Sequence, residues 1–362
     1  MEDLVNAMRI LVTGHLGYIG TVMVPLLEQA GHTVVGLDSD IYARCTFKAG
    51  GAIKQVETLR KDVRDVEAKD LRGVQAIVHL AGLSNDPLGD FRPEITYAIN
   101  HQASVKLARL AKDAGVSRFV FASSCSNYGA AGEDFLDESS AFNPVTPYGE
   151  SKVFVERDVF ALNDDRFSTT FLRCATACGV SPRIRFDLVL NNLVAWAYTT
   201  GRVLLKSAGT SWRPIVHIED ISRAFLAMVE APRELVHAEA FNVGTTAENY
   251  KVKEIAQIVI ETVPGSQLAF QEGASPDKRN YRVNCDKLAR VLPHAKPKWT
   301  VRTTAKQLYD AYQRASLNPS EFEGPSYQRI AHIKSLVSQG FLTDEFRVTA
   351  AGERSLAPAS TR

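Results

Sequence analysis

A chain of 362 residues, 45% hydrophobic and 23% charged, is long enough to bury one large core or two modest ones. Its 42 basic and 41 acidic side chains leave a formal charge of +1, so no bulk field is available for nucleic acid or an acidic membrane, and any anionic ligand must be held locally. The N-terminal MEDLVNAM has no apolar signal core and no run approaches the ~18 apolar residues that span a bilayer, which implies a cytoplasmic protein with no membrane partner.

Five cysteines, at 45, 125, 174, 178 and 285, form no CxxC and no Cys/His cluster of zinc spacing, so free thiols and no metal are expected. Cys174 and Cys178 are four apart but follow a strand, and read as small buried thiols rather than a ligand pair.

Met8 to Gly20, MRILVTGHLGYIG, is an apolar run of strand length followed by glycines at 14, 17 and 20. A strand ending in a tight Gly turn that opens a helix presents backbone N–H groups and a helix N-terminus to a phosphate, the arrangement of a dinucleotide pyrophosphate site. The next strand, HTVVGLD, ends in Asp38, where an acid accepts both ribose hydroxyls of NAD and repels the extra phosphate of NADP. NAD is the expected cofactor.

Beyond Asp38, a loop leads to a short KQVETL strand, then Asp62-Val63-Arg64-Asp65, a helix, and the strand QAIVHL from Gln75 to Leu80. Strand and helix alternate, which predicts a doubly wound parallel α/β sheet (Rossmann). A long helical segment from about Arg92 to Ala114 precedes the strand Val116 to Ser123, which runs into SSCSNYG. Ligands sit beyond the carboxyl ends of such strands, so Ala81 to Asn85 and Ser123 to Tyr128 are expected to line the cofactor crevice.

Residues 133–147 read as an irregular loop delivering Tyr148 to the head of a helix that ends near Phe160. The strand Ser168 to Arg173 follows, after which the alternation breaks. A loop with Pro182, Arg183 and Arg185, a helix from about Leu188 to Thr199, and GTSWRPIVHIEDISRA suggest a smaller substrate-binding subdomain. The expected division is 1–179 for the cofactor domain, resumed at about 218–243, with 180–217 and 244–345 for the substrate. Thr303 to Leu336 is helical by pattern, and 346–362 is expected to be a disordered polar tail. His217 and Asp220 read as a strand-to-helix cap rather than a catalytic pair.

A tyrosine is a poor base at its ordinary pKa of ~10, but a neighbouring ammonium favours the phenolate. Lys152 lies one helical turn beyond Tyr148 and points to the same side. A hydroxyl from Ser124 could hold the substrate oxygen as charge develops. The arginines of SWRP and DKRNYR could bond two oxygens of a diphosphate at once, or be surface charges or ion pairs.

TGHLGYIG, Asp38, Asp62-Val63, HLAG at 79–82, Asn100, SSCSNYG, YGESK, the Leu172-Arg173 strand end, Asn191-Asn192-Leu193 and WRPIVHIEDIS together resemble the extended short-chain dehydrogenase/reductases, specifically the nucleotide-sugar epimerase/dehydratase family, over residues 8–310. The resemblance implies a catalytic set of Ser124, Tyr148 and Lys152, with Cys125 and Ser126 as further candidates. It implies cofactor contacts from Gly14, Leu16, Gly17, Tyr18, Ile19, Gly20, Asp38, Asp62, Val63, Leu80, Ala81, Gly82, Asn100, Tyr148, Lys152 and Arg173. A sugar-nucleotide substrate would meet Ser84, Ser126, Thr176, Asn191, Asn192, Arg213 and one of Arg279 or Arg282. By the same analogy the chain would be a homodimer through helices in 92–114 and 148–164.

Enzymes of this family begin by oxidising the sugar at C4, with the tyrosine taking the hydroxyl proton. The 4,6-dehydratases then need Asp-Glu directly after the catalytic hydroxyl, whereas here those positions are Cys125 and Ser126. A 4-epimerase needs only the Ser, Tyr and Lys, and room for the keto sugar to turn over. In relatives that epimerise at C3 and C5, the cysteine corresponds to Ser126, so Cys125 is expected to be packing. The leading expectation is therefore an NAD-dependent nucleotide-sugar epimerase. A dehydratase, decarboxylase or 4-keto reductase or dehydrogenase on the same frame is the alternative, and a silent NAD-binding protein a third. Residues 181–187 and the helical end beyond 310 depart from the better-known 4-epimerases, in places expected to decide the substrate.

Overall fold

Strand β1 (Arg9–Thr13) sends its side chains alternately into two cores. Leu11 joins Ile77, Phe119 and Phe171 on one face, while Ile10 and Val12 join Val78, Val120 and Leu172 on the other. A strand buried on both faces belongs in a parallel sheet covered by helices on each side. The computed structural model, which describes residues 7–84, 86–271 and 279–356, has that sheet. Its other strands are β2 (Thr33–Asp38), β3 (Glu57–Arg60), β4 (Ala76–His79), β5 (Arg118–Ser124), β6 (Ser168–Cys174) and β7 (Glu239–Val243). All seven are parallel, in the order β3-β2-β1-β4-β5-β6-β7, a Rossmann-type doubly wound fold.

The chain leaves β1 for β2 on one side and later crosses to β4 on the other. The carboxyl ends of β1 and β4 therefore diverge into a crevice, where open sheets of this kind take their ligands. A second lobe closes over it. Helices Val189–Thr200, Val252–Thr262 and Val301–Ala315 pack around a core that includes Phe186, Tyr312 and Phe322. Three short strands, Thr176–Cys178, Trp212–His217 and Asn249–Lys251, form its sheet. Among the described residues no helix is long and apolar enough to cross a membrane.

Several segments differ from the sequence reading. Residues 133–136, read as loop, belong to the strand Ala130–Leu136, which pairs in parallel with Asn280–Val283. Its partner lies about 150 residues away, and strand pairing at that separation leaves no local signal. The Arg92–Ala114 helix contains a π-helical stretch, Tyr97–Gln102. The segment Thr303 to Leu336, helical by pattern, is divided into several helices, the first ending after Ala315, where Ser316 turns left-handed (φ 49°).

The largest difference is at the C-terminus. Ile333, Leu336, Leu342, Phe346 and Leu356 are buried in the same cluster as Leu11 of β1, so this end returns to the cofactor domain. Residues 350–356, expected to be disordered tail, form the helix Ala350–Leu356; residues 357–362, like Asn85, lie outside the described residues. The polar composition of GERSLAPASTR concealed that Gly352 and Leu356 are buried and that Arg60 holds the Leu356 carbonyl.

Candidate active site

The crevice is a cavity of about 430 Å³ lined by the ends of β1, β2, β4, β5 and β6. Its floor is the glycine turn. Gly14 takes φ +73°, and a Cβ there would lie 2.8 Å from the Ala81 nitrogen; at Gly20 a Cβ would meet the Gly14 oxygen at 2.4 Å. Neither position has room for a side chain, and the helix Gly20–Gln29 then starts from Ile19 with no side-chain cap. A bare backbone cradle at a helix start fits a pyrophosphate, and that is the physical test the glycines had to pass for a dinucleotide. Leu16, Gly17, Tyr18 and Ile19 line the same wall.

Asp38, at the end of β2, accepts the Leu16 N–H at 3.0 Å on one oxygen and the Asp40 N–H at 2.8 Å on the other. Each oxygen keeps a lone pair for a ribose hydroxyl. Asp62 and Val63 close the far end of the cavity. Burial pushes the Asp62 carboxyl up, but the side-chain and backbone hydrogen bonds from Arg64 outweigh it and hold the group below the usual carboxylate range.

Leu80, Ala81 and Gly82 leave β4 along the cavity and are held by a buried polar chain whose members are too far apart in sequence to form a motif. Thr13 Oγ1 lies 2.6 Å from His79 Nδ1 and accepts the Ala81 N–H, while His79 Nε2 lies 2.7 Å from Ser104 Oγ, which donates to the Asn100 carbonyl. Burial, reinforced by the Lys152 charge, lowers the His79 pKa to about 3, so the ring is neutral and structural. Asn100 belongs to this support. It is buried, does not line the cavity, and clamps Leu83 through both backbone groups.

The opposite wall carries the reactive groups. Pro147 and the Thr146 cap, which accepts the Gly149 N–H, start the helix Pro147–Phe160 at Tyr148. Lys152, four residues on, is buried and donates to the Ala122 carbonyl at 2.7 Å, with its nitrogen 5.6 Å from the centre of the Tyr148 ring. Burial lowers its pKa to about 8, against the opposing pull of Cys174 and Glu156. Ser124 ends β5, and its Oγ accepts from the Ser126 N–H at 3.1 Å and the Ser126 hydroxyl at 2.8 Å. Ser124, Ser126, Tyr148 and Lys152 all line the cavity.

Cys125 is fully buried instead, donating its Sγ–H to the Arg173 carbonyl at 3.1 Å, and burial pushes its pKa far up. The thiol that does line the cavity is Cys174, at the end of β6. Arg173 also points away. It is buried against Glu156, with Nη2 to Oε2 at 2.8 Å, and against the Tyr128 hydroxyl. A strand's side chains alternate between faces, so at the end of β6 only one of these neighbours can face the crevice.

Of the residues expected to meet the substrate, Ser84, Ser126, Thr176 and Arg279 line the cavity. The others serve the lobe itself. Asn191 is buried, accepting from the Gly179 N–H and donating to the Arg185 carbonyl, and Asn192 donates to Glu323 at 3.4 Å. Arg213 is buried and donates to the carbonyls of Trp212 and Arg279, while Arg282 lies over the rings of Phe135 and Trp212 at 4.0 and 4.3 Å. Arg185, not singled out for the site, lines the cavity, donates to the Ser84 hydroxyl at 2.8 Å and pairs with Asp187 at 2.7 Å. The only signal for it was its place in the departing 181–187 segment.

Residues 10–244 match the model of the NAD dependent epimerase/dehydratase family. The chain is 28% identical to the UDP-glucose 4-epimerase of Lactobacillus helveticus, covering 75% of this chain and 87% of that protein. It is 26% identical to the UDP-glucose 4-epimerase of Bacillus subtilis (strain 168), covering 73% and 84%. Its structure superposes on MoeE5 in complex with UDP-glucuronic acid and NAD with a TM-score of 0.73 at 26% identity, over 85% of this chain and 100% of that one. A family match across most of the chain, on a fold whose crevice fits a dinucleotide, means that the protein is an NAD-dependent enzyme of the epimerase/dehydratase family.

Proposed function

We propose that this enzyme is a nucleotide-sugar 4-epimerase with Tyr148 as its base. One observation carries the choice among the family's reactions: the two positions after Ser124 offer no carboxylate. Cys125 is sealed against the Arg173 carbonyl and Ser126 is a hydroxyl bonded to Ser124. Elimination of water needs an acid and a base over C5 and C6, and the residues beside Ser124 supply neither.

Tyr148 accepts the proton of the sugar C4 hydroxyl, and the Lys152 ammonium stabilises the phenolate that does so. Ser124 donates a hydrogen bond to the same oxygen as it becomes a carbonyl, its orientation set by Ser126. NAD supplies the acceptor and donor for the C4 hydride. After the 4-keto sugar turns over, the hydride would return to the opposite face of C4 while Tyr148 gives the proton back to the C4 oxygen. Ser84, Thr176 and Arg279 are the wall against which we place the sugar nucleotide. Because relatives are named for UDP-glucose and MoeE5 holds UDP-glucuronic acid, UDP-hexoses are the first substrates to try.

The test is a panel of sugar nucleotides followed by product mass and cofactor absorbance. A product of unchanged mass with no net reduced cofactor supports the epimerase. Loss of water or carbon dioxide identifies a dehydratase or decarboxylase, net reduced cofactor a dehydrogenase, and no turnover on any member a silent binding protein.

A further inference from the structure

Arg329 is 5% exposed, yet its Nη1 has no hydrogen-bond partner. The guanidinium sits 4.0 Å over the Tyr42 ring, its Nη2 donates to the Arg183 carbonyl at 3.1 Å, and the residue lines the cavity with Asp38, Asp40 and Tyr42. A buried donor without an acceptor is unfavourable, the more so when charged, so a guanidinium of this kind on a residue that lines the cavity points to a ligand oxygen there.

A second observation comes from the same end of the chain. Phe346 is 3% exposed, lines the same cavity and has φ +58°, a left-handed conformation that bulky side chains rarely adopt. A tight hairpin holds it there. Leu342 and Val348 bridge, Thr343 N donates to Arg347 O at 2.8 Å, and Phe346 N donates to Thr343 O at 2.9 Å. The hairpin is tied to the turn carrying Asp62 and Val63. Arg64 donates to the Glu345 carbonyl at 3.0 Å, and Arg347 pairs with Asp65 and lies 3.7 Å from Asp62. Further along, Arg60 donates to the Leu356 carbonyl at 2.7 Å.

We propose that residues 329–356 form a latch completing the adenosine half of the cofactor site. Phe346 is an apolar wall of the adenine pocket alongside Val63, and Arg329 Nη1 donates to an oxygen of the ribose–diphosphate. The proposal rests on NAD being the cofactor and not on any sugar chemistry. In a chain of net charge +1, a single buried guanidinium gives a dianionic linker local cationic help that the overall charge does not. The ties of Arg64, Arg347 and Arg60 hold the hairpin in place beside the cofactor and would slow its release.

The test is NADH binding to full-length, cofactor-stripped enzyme without sugar nucleotide, so that its outcome is independent of the epimerase proposal. Equilibrium fluorescence titration gives the Kd, and displacement of bound NADH by excess NAD gives the release rate. Phe346→Ala and Arg329→Met are expected to raise the Kd at least tenfold. Arg347→Ala, which cuts the external tie without entering the cavity, is expected to speed release at least fivefold. Should Phe346→Ala fail to fold, the other two variants decide. Kd and release rate within twofold of the unaltered enzyme in the folded variants would overturn the latch.

Discussion

The Lys152 ammonium lies 5.6 Å from the centre of the Tyr148 ring, one helical turn along the same helix, and is held in place by the Ala122 carbonyl. The positive charge is thus fixed where it favours ionisation of the phenol. Tyr148→Phe removes the proton acceptor, and kcat is expected to fall about 10²–10⁴-fold with cofactor binding retained, the range for loss of a general base. Turnover at the unaltered rate would remove Tyr148 from the mechanism.

The same lysine makes a pH prediction. Its pKa is about 8 in the fold and near 10.5 free, so between those values the unfolded chain binds more protons than the folded one. Stability from this group therefore rises with pH across that window. Relative to Lys152→Met, the unaltered protein should gain on the order of 3 kcal/mol between about pH 8 and 10.5. Chemical denaturation of both proteins across that range measures it, and a flat difference would mean the ammonium is solvated.

Gly20→Ala forces a Cβ to within 2.4 Å of the Gly14 oxygen and 2.5 Å of His15 Cα, both backbone atoms that cannot swing aside. The turn must open, and the expected result is at least a tenfold loss in NAD affinity by titration. Unchanged affinity would show that the cradle does not hold the pyrophosphate.

Arg173→Met is expected to act on stability rather than on the cofactor. It leaves Glu156 buried without its charged partner, a defect worth about 3–5 kcal/mol in denaturant unfolding. NAD affinity should stay within threefold; a selective loss of affinity would restore Arg173 to the cofactor site.

Cys125→Ser keeps a small donor facing the Arg173 carbonyl, and turnover is expected to remain within a few fold. A loss of a hundredfold or more would place the thiol in the reaction.

What the sequence made legible follows the range of the interactions involved. The Gly14–Gly20 turn, Asp38 at the end of β2, and the Tyr148/Lys152 spacing are local patterns, and each lines the crevice where the alternation of strands and helices put it. Residues such as Arg173, Asn191, Arg213 and Arg282 have the right chemistry for a ligand but spend it on Glu156, Gly179, backbone carbonyls and aromatic rings, and no local sequence pattern distinguishes that use from ligand binding. Arg185 and the 329–356 segment reach the cavity through contacts more than 100 residues distant, with Ser84 and with Arg183. An amphipathic helix such as Arg329–Ser338 declares that it will be buried, but not in which core.

A sugar nucleotide carrying deuterium at C4 reports hydride removal and return at that carbon, the step assigned to Tyr148. The expected product is the C4 epimer, with the deuterium still at C4 and the mass unchanged. Deuterium moved to C6 in a product lighter by water, or lost into reduced cofactor, would contradict it.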